Sequence, residues 1–229
     1  MASEGITRAA PSVEDGDRQG TREKLLETAG RIFADRGVEG ATGKAICEAA
    51  GTNTAAINYH FGGMDGLYEA VLLGARDRIV ASDALAAVMA SAEPAEARLR
   101  AVMRLVAQAL LHTEQRAWAL RLVSREVMAP SPVGARVLLA TAQARIAAMK
   151  RLLAEILELP EEHPAVSRCC ISISAPFQLL ILAERAMVKR VYPDVDLSPA
   201  GVDTLADHFV RFALAGLKAT AEAERGPRA

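Results

Sequence analysis

An all-α fold is what this sequence predicts, on two observations. Apolar and polar residues nowhere alternate over the length of a strand; apolar residues instead recur at intervals of three and four among abundant Ala, Leu, Arg and Glu. Pairs such as Ser131-Pro132, His163-Pro164 and Ser198-Pro199 place a polar residue before proline at a first helical position, where its missing N–H is harmless.

The elements follow in order. The first twenty residues contain Gly, Asp and Arg and no apolar run, so no secretory signal is read there and residues 1–19 are expected as a disordered arm. A first helix is predicted from about Thr21 to Arg36, with Leu25, Leu26, Ala29, Ile32 and Phe33 on one stripe and Gly37 placed to stop it. Two short helices, Gly43 to Ala50 and Asn53 to His60, flank Gly51, and a longer one is expected from Met64 to about Met89. Glu93-Pro94 breaks the pattern. Beyond it, one helix carries Leu99, Met103, Val106 and Leu110, a second runs from about Glu114 to Met128, and a third repeats Ala142, Ile146, Met149, Leu153 and Ile156. His163-Pro164 opens a helix expected to reach about Tyr192. Ser198-Pro199 opens the last, with the seam Val202, Leu205, Phe209 and Phe212. Such seams suit helices packed at the shallow crossing angle of a bundle.

Composition narrows the function. The 229 residues are 51% hydrophobic, enough for one sizeable core or two small ones, and their net charge of −1 provides no overall positive field for nucleic acid. Three cysteines, two of them adjacent at Cys169 and Cys170, form no disulfide framework. The longest apolar stretch, Cys169 to Ala183, is interrupted by Ser172, Ser174, Pro176 and Gln178 and falls short of the roughly 20 residues a spanning helix needs, so a soluble chain without a membrane role is expected. His60, His112, His163 and His208 are far apart, no zinc-binding pair, nucleophile elbow or phosphate-binding glycine loop occurs, and Ser124-Arg125-Glu126 lacks a placed base. Neither an enzyme nor a metal or other cofactor is expected.

The stretch ATGKAICEAAGTNTAAINYHFGGMDGLYEAVL, Ala41 to Leu72, carries the specific signal. Ile46 and Ala50 on the first short helix are spaced to meet Ile57 and Phe61 on the second, and Gly51 supplies the left-handed residue of a tight turn. The second helix then presents Asn53, Thr54, Asn58, Tyr59 and His60 away from its apolar side, as groups able to approach a duplex. This is a helix-turn-helix pattern.

Thr21 to Leu73 resembles the N-terminal DNA-binding domain of the TetR family of transcriptional regulators. The likeness rests on F-x-x-x-G at Phe33 to Gly37, G-A-T at Gly40 to Thr42, the I-x-x-x-A-G turn at Ile46 to Gly51, and Tyr59-His60-Phe61. The run AAINYHFGGMDGLYEAVL is similar to a subgroup related to CecR-type repressors of drug-efflux operons. The resemblance implies an N-terminal three-helix DNA-binding domain over residues 20–66 and a C-terminal helical bundle over residues 67–229 that binds an effector and dimerises. It implies a cytoplasmic, ligand-responsive homodimer on an inverted-repeat DNA operator, released by a small molecule, with repression as the sign of control. Half-sites on one face of DNA lie about 34–36 Å apart or a multiple of it, so two reading heads need a stiff dimer body.

Carried over by position, Thr42, Lys44, Thr52, Thr54, Tyr59 and His60 resemble phosphate-contacting residues, while Asn53, Ala55 and Asn58 stand where base edges are read. Gly51, Ile57 and Phe61 are scaffold. Two features depart from the family. A lysine common two residues beyond F-G is replaced by Met64, and residues 1–80 hold nine basic against twelve acidic side chains, a net −3, so modest and salt-sensitive DNA affinity is expected.

For the effector, the segment Cys169 to Met187 is the expected wall, kinked where Pro176 removes a helical hydrogen bond near Phe177 and Gln178. Met103, Trp118, Met128 and Met149 would supply apolar surface and Arg121, Arg125 or Glu184 would orient a polar group. The dimer is expected through Val202, Leu205, Phe209 and Phe212 of the last helix, paired with the helix that opens at Pro164. Two other readings stay open at this point: a redox-sensing regulator using Cys47 or the Cys169-Cys170 pair, and a helical binding protein without DNA affinity.

Overall fold

The computed structural model describes residues 13–111, 117–183, 185–198 and 200–225, and all regular structure among them is helical. In chain order the helices are α1 (Val13–Arg36), α2 (Gly43–Ala50), α3 (Ala55–Phe61), α4 (Met64–Ile79), α5 (Ser82–Met89), α6 (Ala95–Leu111), α7 (Ala117–Met128), α8 (Pro132–Leu157), α9 (Pro164–Leu182), α10 (Arg185–Val191) and α11 (Val202–Arg225). Helices α1 to α4 form the N-terminal layer. Helices α6, α8, α9 and α11 form the C-terminal bundle, and α7 lies between the two layers against α1 and α4.

Several helix ends differ from expectation. α1 starts at Val13, so residues 13–19 of the expected arm are helical; the Gln19 side chain already bonds Glu23 one turn on, at 2.7 Å. Residues 1–12 of that arm lie outside the described residues. The single helix expected from Met64 to Met89 is two, because Val80 is extended (φ −136°, ψ 110°) and the Asp77 carboxylate accepts the Ser82 backbone N–H at 2.8 Å, starting α5 afresh. The helix expected to run from Pro164 to Tyr192 likewise ends at Leu182, where Ala183 is extended (φ −87°, ψ 133°). His112 and Glu114, Glu184 and Pro199 lie outside the described residues. The expected domain boundary, between residues 66 and 67, falls within the first turn of α4.

α9 is, by length and composition, long and apolar enough to cross a membrane, at a mean hydropathy of 1.6, which corrects the shorter span read from residues 169–183. Here it packs against α6, α8 and α11, and Ala165, Val166, Cys169, Ile173 and Phe177 join the core. Pro176 is accommodated inside the continuous helix.

The face that α11 buries is also corrected. Its buried line is Val202, Ala206, Val210, Ala213, Leu217 and Ala221, while Leu205 and Phe209 are only half-buried and Phe212 is 74% exposed. Small residues let α11 lie close along α6, a contact that phenylalanines would hold apart. Arg104 to Asp207 at 2.8 Å and Gln108 to Asp203 at 3.0 Å tie the edge of that contact.

The N-terminal layer packs densely on α7. Gly30 of α1 lies under the Trp118 ring, where a Cβ would come within 2.5 Å of the indole, so α1 and α7 approach as only glycine permits. The Trp118 indole N–H donates to Glu27 at 3.2 Å, and the Arg78 guanidinium sits 5.2 Å over the same ring. Tyr68 of α4 is fully buried, edge-on to Phe33 at 4.7 Å, and its hydroxyl donates a short hydrogen bond to Glu126 Oε1 on α7. The other oxygen, Oε2, accepts the Ser131 backbone N–H at 2.9 Å and the Ser131 hydroxyl at 3.1 Å. Glu126 is 2% exposed and is the buried charged residue among those described. Gly134 is required beside it, since a Cβ there would stand 1.6 Å from Oε2.

Burial, and after it the bond to Glu126, push the Tyr68 phenol above its ordinary pKa. The unfolded chain ionises this group near pH 10 while the folded one keeps the proton, so the stability Tyr68 contributes is complete below about pH 10 and is lost as pH rises beyond it. Tyr68→Phe, which strands Glu126 Oε1, is expected to lower unfolding stability at pH 7 by about 2 kcal/mol in urea titration and to reduce the alkaline loss; unchanged curves would show that the bond carries no weight.

Candidate nucleic-acid interface

The reading head is built from three local devices. Thr42 caps α2, its Oγ accepting the Ala45 N–H at 3.2 Å. Gly51 takes the left-handed conformation (φ 66°) and closes α2 with two bonds, its own N–H to the Glu48 carbonyl at 3.2 Å and the Thr52 N–H to the Cys47 carbonyl at 2.9 Å. Asn53 Oδ1 accepts the Ala56 N–H at 3.0 Å and so starts α3. Ile46 and Ile57 are buried between the two helices, as the spacing requires, with Phe61 half-buried beside them.

The residues expected to meet DNA lie on this unit. Thr42, Lys44, Asn53, Thr54, Ala55, Asn58 and Tyr59 are exposed, Tyr59 to 69%, and His60 is half-buried edge-on to Tyr59 at 4.9 Å. Lys44 is held only loosely, its Nζ 3.9 Å from Glu48 one turn on, and is therefore available to a phosphate. Asn53, like Thr42, carries a structural duty beside the expected one. The Asn53 oxygen is engaged in capping, so bidentate pairing with adenine would break that cap, which leaves Asn58 as the asparagine free to read a base edge. Thr52 Oγ is buried without a hydrogen-bond partner.

Met64, where the family commonly carries a cation, is half-buried; its sulfur stands 3.4 Å from where a Cβ on Gly43 would be, beside Ile57. It is an apolar plug under the α2–α3 corner. A cation that sequence reasoning missed stands nearby: the Arg22 guanidinium of α1 lies 5.3 Å over the Phe61 ring, next to Tyr59 and His60 in sequence. Only the packing of α1 reveals it, since Arg22 is 39 positions from Phe61 in the chain.

The residues read as an effector wall are not brought together. Met103 and Phe177 are buried in the bundle core, with Phe177 edge-on to Phe209 at 5.8 Å, and Met149 packs half-buried against the same core. Trp118 and Arg121 face the other way, toward α1, Trp118 through Glu27 and Arg121 through Asp35 at 3.0 Å. Met128 is 72% exposed, and Gln178 is exposed. Helix periodicity cannot show which neighbour each face of α7 meets, and the partner turned out to be α1. A cleft of about 380 Å3 lined by Glu23, Lys24, Leu26, Glu27 and Arg78 lies on α1 and α4 rather than among the predicted residues.

The expected dimer residues divide. Val202 is fully buried within its own subunit beside Val188 and Leu197, whereas Phe212 is exposed on α11. The thiols give little support to redox sensing. Cys47 and Cys169 are buried, and burial pushes the Cys170 thiol up, away from the thiolate form that attacks peroxide.

Comparison with known proteins agrees with this geometry. The family described as bacterial regulatory proteins, tetR family, matches residues 25–71, and that described as HTH-type transcriptional dual regulator CecR, C-terminal domain, matches residues 95–217, more than half of the chain. The HTH-type transcriptional repressor AcnR of Corynebacterium glutamicum is 43% identical over 61 residues, 26% of this chain and 32% of AcnR, so the match spans about a third of that relative. The fold is similar to that of the fatty acid degradation regulator FadR from Bacillus halodurans, with a TM-score of 0.64 at 15% identity over 92% of this chain and 98% of FadR. It is also similar to AibR, solved in complex with isovaleryl coenzyme A and operator DNA, with a TM-score of 0.59 at 20% identity over 84% of this chain and 97% of AibR. From its helix-turn-helix to the end of its bundle, the chain belongs to the TetR family of transcriptional regulators, with a C-terminal domain of the CecR type.

Proposed function

We propose that the protein is a cytoplasmic, homodimeric repressor that grips an inverted-repeat operator through α3 and lets go when a small molecule binds its C-terminal bundle. The observation that carries this reading is the exposed row of Thr54, at the start of α3, and Asn58 and Tyr59 on that helix, held by the left-handed turn at Gly51, with Lys44 exposed on α2 and only loosely paired to Glu48. The AcnR likeness supports repression as the sign of control, and AibR, which holds operator DNA and an acyl coenzyme A, supports a regulator of this fold that takes a small ligand.

Dimerisation is supported by the apolar surface left on two helices. Ile171 and Leu179 of α9 and Phe212 of α11 are 69%, 51% and 74% exposed, an arrangement a partner would cover in a four-helix contact. The N-terminal layer is acidic, so affinity rests on a few local donors, and DNA binding should fall steeply with salt.

In gel shifts on the gene's own upstream region, Lys44→Ala and Tyr59→Ala are expected to weaken binding about tenfold, the loss of one phosphate-neutralising cation lowering the salt slope by about 0.9 in the first case only. Equal affinity in both variants would remove this surface from the account. Phe212→Glu is expected to sediment as a monomer and to lose operator binding, because one half-site supplies only part of the contacts; a persistent dimer would place the interface elsewhere.

A further inference from the structure

The N-terminal layer is acidic, and several of its cations are held against carboxylates. Arg31 and Arg78 share Glu27, at 3.0 and 2.7 Å, and Lys44 stands 3.9 Å from Glu48. Arg22 is held differently. Its guanidinium lies 5.3 Å over the ring of Phe61, the last residue of α3, and among the described residues it makes no hydrogen bond and no ion pair. An aromatic face holds a guanidinium in place without cancelling its charge, whereas a carboxylate does both. The N–H donors of Arg22 therefore remain unspent.

The surroundings of this charge belong to the reading head. Phe61 is tilted against His60 at 6.1 Å, and His60 is edge-on to Tyr59 at 4.9 Å, so an unbroken run of ring contacts leads from Arg22 on α1 to the exposed Tyr59 on α3. Arg22 comes three residues before the buried Leu25, the spacing that puts both on the side of α1 packed against the rest of the layer. It also lies well inside α1, which begins at Val13. Met64 does not present a group there: its side chain is turned under the α2–α3 corner, beside Ile57 and Gly43. The charge that the family commonly carries at that position is absent, and Arg22 brings one to Phe61, three positions before it.

We infer that Arg22 is a phosphate-contacting residue of the operator complex, a cation that α1 lends to the reading head in place of the lysine missing at Met64, with Phe61 setting its position. This rests on the DNA-binding reading given above and adds a contact from outside the helix-turn-helix. A guanidinium on a phosphate forms a charge-assisted bond that is frequently bidentate, and a side chain already positioned on a ring loses less freedom in forming it. Such a contact answers to the backbone alone. It fixes α3 on the duplex and leaves the choice among bases to Asn58 and its neighbours.

Gel shifts of the full chain over a range of salt concentrations test it, with the gene's own upstream region and a random duplex of equal length as probes. Arg22→Gln is expected to weaken binding to both by a similar factor, about tenfold on the upstream region, and to lower the salt slope by about 0.9 for each subunit bound. Arg22→Lys keeps the charge and is expected to keep most of that slope. An unchanged slope in Arg22→Gln, even with weaker binding, would reduce Arg22 to a packing role and overturn the assignment. A loss confined to the upstream region would make it a base contact and overturn it equally. Lys44→Ala measured alongside separates the two claims: a slope that falls with Lys44→Ala but not with Arg22→Gln removes this inference alone, whereas the absence of operator binding by the wild-type protein removes the regulatory reading beneath it.

Discussion

The hydrogen bond between Tyr68 and the buried carboxylate of Glu126 is the interaction on which the arrangement of the two halves depends. It joins α4, which carries the reading head at its other end, to α7, which belongs to the C-terminal half by sequence but packs on α1 and α4. A carboxylate at 2% exposure is tolerable only when its oxygens are satisfied, and here Tyr68 and both donors of Ser131 do so. Gly30 and Gly134 each leave the space of one missing Cβ for this contact, Gly30 for the Trp118 ring and Gly134 for Glu126 itself. The layers are therefore keyed by shape and by hydrogen bonds, an arrangement that favours discrete relative positions over gradual sliding.

Control of DNA binding has a physical route in this architecture. α4 touches α1, α3, α7 and α8, so it is common to the reading head, the interlayer contact and the bundle. A ligand moves an equilibrium only by its different affinity for the two states, and any ligand that contacts α4 or α8 has the means to discriminate. On the DNA side the field of the N-terminal layer is unfavourable, with Met64 turned inward where the family often has lysine. Lys44 and Arg22 are placed to supply local positive charge.

Much of this was legible in the sequence, and what was not has a common cause. The helix-turn-helix could be read because its determinants are local: the Gly51 turn and the Ile46–Ile57 pair lie within twelve residues and specify one another. The cap and proline at Ser131-Pro132 likewise start α8 as expected. Positions that depend on which helix a face meets were not legible. Trp118 and Arg121 have the periodicity of a bundle wall yet turn to α1, and α11 buries its alanines while Phe212 faces outward. Tyr68 and Glu126, 58 positions apart, carry no mark in the sequence that they meet. The Val80 break escaped notice because it comes from an aspartate cap without glycine or proline.

The central claim is that the Tyr68–Glu126 bond holds α4, and with it the reading head, in place on α7. A double-mutant cycle on operator affinity tests it most directly, with Tyr68→Phe, Glu126→Gln and the double variant assayed on one operator fragment at one salt concentration. Each single change is expected to alter affinity, and the double variant to differ from the product of the two effects by at least fivefold, the signature of groups that act through each other. Affinities unchanged from wild type, or effects that multiply independently, would contradict the account.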